Sequence, residues 1–554
     1  MLDRLGFRAL HALWLAAQRA DHRAFNLALE RPAEVQATAL RRLLQANAAS
    51  EYGRRHDFRR IATPREYQDA VPVIDAADLA PWVEAIEKGR SGVLTTEPVL
   101  IFETTGGSTG APRYVPYTRS LLEEFRRALA AWMVDLYTAR PGLRAGGAYW
   151  SVSPAARGRT VTSGGIPVGF DDDTQYFGPM PRRVVRQLLL TPPELPAIEN
   201  MDASRYVTLR FLLGSPDLAF ISVWNPSFLT LLIGALHQWA PRLIGDIEAG
   251  TLTSPAPLPE TLETSLRRRL RPRPTRARAL GRLLARTVTL RPADVWPRLG
   301  LISCWTDASA ARFLPELAAA FPGVEIQAKG LLATEGVVSI PLVGHRGAAV
   351  AVTSHFYEFA DLDAPSARPR LVHELELGRR YSVIMTTGGG LYRYALGDTI
   401  RVVGRHRATP LVEFVGRLGV LSDLCGEKLG ETHVARALDA AATRLDLRCA
   451  FMLLAPEWAS PPYYALFIEA PDVSDAALGR LAGEVERGLL ESPSYAYCRR
   501  LGQLREVRPF RVHRDATAAY LQRRMRLGQR AGAVKAVALD RTPGWSAQLP
   551  AVPV

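Results

Sequence analysis

Lysine is nearly missing from this chain of 554 residues. Of its 69 basic residues only Lys88, Lys329, Lys428 and Lys535 are lysine, and the other 65 are arginine. A compact ammonium and a forked guanidinium do different chemistry, so each retained lysine marks a position to inspect. Cysteine is scarce as well. Cys304, Cys425, Cys449 and Cys498 lie far apart and form no CxxC pair. That excludes a disulfide scaffold and a zinc ribbon, and it fits free thiols in a reduced compartment. No apolar run reaches the ~18 residues of a membrane-spanning helix. Residues 1–8 carry charges where a secretory leader needs its apolar stretch, and the run 12–17 is short and followed by Arg19 and Asp21. These features predict an amphipathic helix and a cytoplasmic protein without a membrane partner. Internal repeats are absent too.

The net charge of +14 would suit a nucleic-acid partner. The densest basic stretch, 266–291, holds Arg267, Arg268, Arg269, Arg271, Arg273, Arg276, Arg278, Arg282 and Arg286 but no aromatic residue on which a base could stack. Leucines at helical spacing between the arginines predict a solvated helical face, which Pro272 and Pro274 split in two. No nucleic-acid partner is expected.

What remains is an ordinary globular composition, 47 % hydrophobic and 22 % charged. At about 100–200 residues per domain, the length predicts two to four domains or subdomains. Residues 1–50 carry apolar positions at helical spacing, and 51–100 are mixed. From 100 to about 415, short β-branched runs alternate with helical stretches, the pattern of an α/β fold. Strand-like runs occur at 382–387, 400–403 and 411–415. After Gly416 the pattern resets: helix 431–445, strands 449–455 and 463–469, helix 474–490, strand 506–513 and helix 516–526. A boundary is placed near 416–420.

The sharpest local signal follows a strand ending near Phe102: Thr104, Thr105, Gly106, Gly107, Ser108, Thr109 and Gly110, then Arg113. Glycines let backbone amides approach phosphate oxygens, hydroxyls add donors, and an arginine pairs with phosphate through its fork. The loop is not the GxxxxGK[ST] phosphate loop, and alone it is equally a plain turn. Downstream, Ala333-Thr334-Glu335-Gly336 sets a hydroxyl beside a carboxylate in a glycine turn, suited to Mg²⁺ near phosphates or simply an exposed turn glutamate. Asp398, after Gly397 in an expected turn, could accept both hydroxyls of a ribose or cap the turn. Arg417 lies between Gly416 and Gly419, and could contact ribose or phosphate. Lys428 is a nucleotide-site candidate or a surface lysine at a helix start. Lys535, in a late glycine-flanked loop, is a surface lysine or an ammonium brought to a site by domain movement.

The glycine-rich loop and its trailing cation resemble the phosphate loop of adenylate-forming enzymes, with Gly107 where a hydroxyl residue is common and Arg113 in place of the usual lysine. The whole set, in order and at these separations, resembles the auxin-responsive Gretchen Hagen family of acyl acid–amido synthetases, in a bacterial-type form. The similarity extends through residues 46–53, 71–73, 115–118, 296–299, Cys304-Trp305, 330–336, 356–359, 391–394 and 397–398 to Lys535. It implies a large adenylate-forming N-terminal domain, 1–416, with β-sheets, packed helices and a small β-barrel-like part, and a mobile α+β C-terminal domain, 417–554. It also implies ATP and Mg²⁺. Residues 104–110 would hold phosphates, and Thr334 would lie beside the nucleotide. Glu335 would carry the metal, Asp398 the ribose, Arg417 the hinge, and Lys535 would assist adenylation.

The expected chemistry is conversion of a carboxylic acid to an acyl-adenylate, then transfer to an amine, typically that of an amino acid. Trp224, Ser227 and Phe228, at a helix opening near Pro226, are candidates to line the acyl pocket, or they are core. A thiol acceptor such as coenzyme A, or a catalytically silent binder of the same fold, are the alternatives. Neither the acid, the amine nor the oligomeric state is specified.

Overall fold

The computed structural model describes residues 3–105, 113–150, 160–170, 179–224, 226–287, 289–418, 421–422, 424, 427, 429–459, 461–500, 504–527, 529, 534 and 537–554. The first helix, Arg4–Ala28, is capped by Asp3, whose side chain accepts from the Gly6 amide at 2.8 Å. It buries Phe7, Trp14, Leu15 and Phe25. The helical periodicity of the first fifty residues then breaks, and Pro32 opens a second helix, Pro32–Asn47. The mixed segment after it is mostly helical. Thr63 and Glu66 form a capping box over Pro64–Ala70, and Asp75 and Asp78 form another over Ala76–Glu87.

Four parallel strands form one sheet in the order Gly147–Trp150, Leu218–Ser222, Leu301–Cys304 and Glu325–Ala328. The two middle strands are buried along their whole length, as parallel strands covered on both faces must be. Between them run Pro226–Ala249, Glu260–Arg269 and Pro274–Thr287. The arginine-rich stretch is thus two helices parted at Pro272 and Pro274. They attach through Leu266, Ala277 and Leu280, with Arg268, Arg278 and Arg286 exposed.

A second, seven-stranded antiparallel sheet runs in the order Ser339–Pro341, Ala348–Val350, Thr409–Arg417, Tyr394–His406, Arg380–Thr386, Phe356–Asp361 and Arg370–Leu371. The helix Arg119–Ala139 packs against it and the first helix, burying Leu121, Phe125, Ala128, Trp132 and Leu136.

After residue 430 a third sheet takes the order Phe451–Glu457, Tyr463–Glu469, Arg508–Val512 and Ala551–Pro553. Its alternation feeds two cores. Phe451, Leu453 and Phe467 join Tyr520 and Trp545 on one face, while Met452, Leu454 and Leu466 join Leu438 and Leu481 on the other. The expected helices are present as Glu431–Arg444, Asp475–Leu489 and Ala516–Arg526. The helix Pro493–Arg500 and the last strand were not expected.

Candidate active site

The two strands that flank the glycine-rich loop in sequence pair antiparallel. Ile101–Thr105 pairs with Arg113–Tyr117, with Thr104 opposite Tyr114 and Thr105 opposite Arg113. Gly106, Gly107, Ser108, Thr109 and Gly110 lie outside the described residues. The hairpin stem is anchored by Glu103, which is 2 % exposed and accepts from the amides of Thr104 at 3.2 Å and Phe170 at 2.9 Å.

Thr334 and Glu335 form the two-residue turn of a short hairpin, Leu332–Ala333 with Gly336–Val337. Gly330 enters this hairpin at φ +76, where a Cβ would stand 2.5 Å from the Ser339 carbonyl oxygen. Glu335 is 6 % exposed, so it is no solvated turn residue. The Tyr117 hydroxyl donates to the Thr334 carbonyl at 2.5 Å, tying the first hairpin to this turn.

Gly388, Gly389 and Gly390 abut the same stretch. A Cβ on Gly388 would lie 2.7 Å from Ser120 Cβ, one on Gly389 would lie 2.6 Å from the Pro116 carbonyl oxygen, and Gly390 has φ +92. The Thr118 hydroxyl donates to the Gly388 carbonyl at 2.8 Å. Residues 116–120 therefore hold both the Thr334–Glu335 turn and the glycine turn.

Asp398 lies inside the strand Tyr394–His406, not in the turn expected from the sequence. Gly397 at φ +79 and a register shift in the pairing with Arg380–Thr386 bulge the strand there without ending it. Asp398 is 2 % exposed and stands opposite Arg417, the last residue of the neighbouring strand. Lys428 and Lys535 lie outside the described residues.

The parallel sheet presents its carboxyl ends as Trp150, Ser222, Cys304 and Ala328, the edge where open α/β sheets take their ligands. Lys329 follows directly and is 2 % exposed. Its Nζ donates to Ser222 Oγ at 2.5 Å and stands 5.3, 5.3 and 5.0 Å from the ring centres of Trp132, Trp150 and Trp224. Indole faces offset part of the desolvation of a buried ammonium. Trp224 also lies 5.6 Å from Trp305. Ser227 sits in the first turn of Pro226–Ala249, and Phe228 packs half-buried on the core beside the parallel sheet. Burial pushes the Cys304 thiol up to about 12, against the pull of the Lys329 charge, so this thiol is no nucleophile. Trp132 and Trp150 carried no sequence signal. The scarcity of lysine and the acyl-pocket candidate Trp224 were the sequence's pointers to this cluster.

Among the described residues, no three His, Cys, Asp or Glu side chains gather to hold a metal. A single buried carboxylate at Glu335 still suits Mg²⁺, which commonly binds through one or two carboxylates and the phosphates of a substrate.

Residues 21–326 match the GH3 family N-terminal domain, and residues 348–417 match the GH3 family central domain. The chain belongs to the GH3 family. GH3 is the Gretchen Hagen family indicated by the motifs. Among curated GH3 relatives, the indole-3-acetic acid-amido synthetase GH3.10 of Arabidopsis thaliana is 25 % identical over 529 residues, 87 % of this chain and 88 % of that protein. The jasmonoyl–L-amino acid synthetase JAR6 of Nicotiana attenuata is 24 % identical, over 74 % of each chain. The fold is also that of the GH3.15 acyl acid amido synthetase, with a TM-score of 0.80 over 95 % of this chain and 94 % of that one at 19 % identity. Among the described residues, no helix of this GH3 chain is long and apolar enough to cross a membrane.

Proposed function

We propose that this chain is an ATP-dependent acyl acid–amido synthetase. The observation that carries the reading is the convergence of the hairpin bearing the glycine-rich loop, the Thr334–Glu335 turn and the glycine turn before Asp398 on residues 116–120, in a chain of the GH3 family. In the first step a carboxylate oxygen attacks the α-phosphorus of ATP, the bond to the β-phosphate oxygen breaks, and pyrophosphate leaves. In the second, an amine nitrogen attacks the acyl carbon, AMP leaves, and the nitrogen gives up a proton to solvent. A carboxylate is a poor electrophile, and the mixed anhydride with AMP supplies the leaving group.

Residues 104–110 and Arg113 bind the phosphates, Thr334 flanks the nucleotide, and Asp398 accepts from the ribose hydroxyls. Glu335 would hold Mg²⁺, which would neutralise phosphate charge. Arg417 is the hinge, with Lys428 nearby in sequence. Lys535 meets the charge that develops as pyrophosphate departs. Trp224, Ser227 and Phe228 line the side of the acyl acid.

The central-domain match ends at 417, and the cores beyond residue 430 are assembled almost wholly from local residues. Both support a domain 1–416 and a second, 417–554, that reorients between steps. The names of the relatives support a small carboxylic acid and an amino acid as substrates, and the scarcity of cysteine favours the cytoplasm. Acid-dependent ATP–pyrophosphate exchange, screened over aromatic, aliphatic and hydroxy acids without amine, tests the reading. Exchange with one acid class is expected. Absence of exchange while Mg-ATP still binds calorimetrically would favour a silent binder.

A further inference from the structure

The Thr334–Glu335 turn and the glycine turn at 388–390 are also joined through the interior, by two ionisable side chains that no motif includes. Glu124 is 1 % and His355 0 % exposed. The Val337 amide, two residues after Glu335, donates to His355 Nε2 at 3.0 Å. An amide N–H only donates, so Nε2 carries the lone pair and the ring proton sits on Nδ1. Nδ1 donates to Glu124 Oε2 at 2.7 Å, and the same oxygen accepts from the Gly388 amide at 2.9 Å.

The ring is fixed edge-on by Phe125 and Tyr357, and the Tyr357 hydroxyl donates to the Val337 carbonyl at 2.5 Å. His355 lies directly on Gly336, where a Cβ would come within 2.7 Å of Nε2. The Ser354 hydroxyl donates to the Glu124 carbonyl at 2.7 Å, locking the helix end of the chain of contacts. Glu124 Oε1, facing Gly388, has no hydrogen-bond partner among the described residues. The unbroken line runs from Gly388 through Glu124 and His355 to Val337, and ends beside Glu335.

We propose that Glu124 and His355 are a positioning pair that fixes the Thr334–Glu335 turn against the glycine turn and so sets Glu335 for acyl-adenylate formation. The inference rests on the ligase reading and names two residues closed off from solvent, which act through the turns they hold.

Four measurements test it together: folding by circular dichroism, ATP–pyrophosphate exchange, its Mg²⁺ dependence, and amide hydrogen exchange at Val337 and Gly388. In E124Q the side-chain oxygen can replace Oε2 and accept both bonds, so exchange stays within about threefold of wild type. E124L loses both bonds. H355N keeps a donor toward Glu124 but cannot reach the Val337 amide. A misplacement of about 1 Å costs on the order of 100-fold in rate, so E124L and H355N should lose roughly 30- to 100-fold in kcat. The KM for the acid should stay within about twofold, and half-maximal Mg²⁺ should rise, because the displaced group is Glu335 and not the acyl pocket. Amide exchange should quicken at both Val337 and Gly388 in E124L, but at Val337 alone in H355N.

Folded H355N with wild-type kcat would overturn the proposal, and so would E124Q as damaged as E124L. H355N decides the matter even if E124L fails to fold. Wild-type protein inactive with every acid, but showing this amide pattern in its variants, would overturn the ligase reading and leave the linkage of the two turns standing.

Discussion

Arg393→Met should destabilise the protein by about 4 kcal/mol, within the ~3–5 kcal/mol typical of breaking one side of a buried ion pair. Arg393 and Glu358 are 5 % and 1 % exposed at their side chains. The guanidinium donates Nε to Oε2 at 2.9 Å and Nη2 to Oε1 at 2.9 Å, while Nη1 donates to the carbonyls of Gln68 at 2.8 Å and Val71 at 2.6 Å. The variant leaves a buried carboxylate with the Gln68 amide as its remaining side-chain donor at 2.9 Å, and takes a donor from two carbonyls. The φ of +48 at position 393 strains methionine as much as arginine, so backbone terms cancel. With an unfolding entropy of about 2.1 cal/mol/K per residue, a unit of roughly 400 residues drops about 5 °C in Tm for 4 kcal/mol. Calorimetry and urea midpoints would measure the loss. The decisive comparison is Arg393→Met with Glu358→Leu. Removing both charges should return the protein to within about 2 kcal/mol of wild type, because the penalty lies in the orphaned charge. A double variant no more stable than Arg393→Met would refute that account, as would a single variant that melts like wild type.

Lys535→Ala should cut acyl-adenylate formation by about 10²–10³-fold, the size of losing one preorganised charge partner, while amine transfer from preformed adenylate changes far less. Equal loss in rapid-quench assays of both steps would remove that role. Glu335→Gln should raise the Mg²⁺ needed for half-maximal exchange, and an unchanged Mg²⁺ titration would free Glu335 from metal binding. Burial pushes His11 down to about 4 from 6.5. Unfolded chains take up the proton first, so its contribution is full above pH 6.5 and is lost as pH falls toward 4. The loss is about 3 kcal/mol at ~1.4 kcal/mol per pKa unit. His11→Gln can keep a donor toward the Gly146 carbonyl, which His11 Nε2 meets at 3.1 Å, and should flatten Tm between pH 6.5 and 4. A slope as steep as wild type would point to other groups.

The parts of the fold written in local patterns were legible. The continuous apolar run at 463–469 and the helical run at 516–526 match the observed strand and helix to the residue. Segment 51–100 was harder, since its helices are short and owe their ends to capping boxes at Thr63 and Asp75 rather than to long apolar stripes. Asp398 was placed in a turn because Gly397 reads as a breaker. The glycine instead supplies one bulge in a strand whose partners on both sides keep it extended. Residues standing in turns, such as Thr334 and Glu335, were visible as motifs. Residues that act at a distance in sequence were not. Glu124 sits mid-helix, 231 positions from His355, and nothing local distinguishes it from any other helix glutamate. Trp132 and Trp150 are ordinary core candidates, and Trp224 is an acyl-pocket candidate with core as the alternative, until Leu218–Ser222 and Glu325–Ala328 bring Ser222 and Lys329 together.

The chain contains ten tryptophans, and four of them, Trp132, Trp150, Trp224 and Trp305, crowd one edge of the parallel sheet, three of them around a single ammonium. Indole emission responds to a nearby charge and to contact with water, so this edge is a built-in optical probe. A ligand settling there alters the surroundings of several indoles at once, with no label attached. Lys329→Met keeps a straight side chain among the rings and removes the charge, which separates the cation's share of the signal from the solvent's. The same feature that hides a lysine from water thus makes arrivals at its doorstep visible in ultraviolet light.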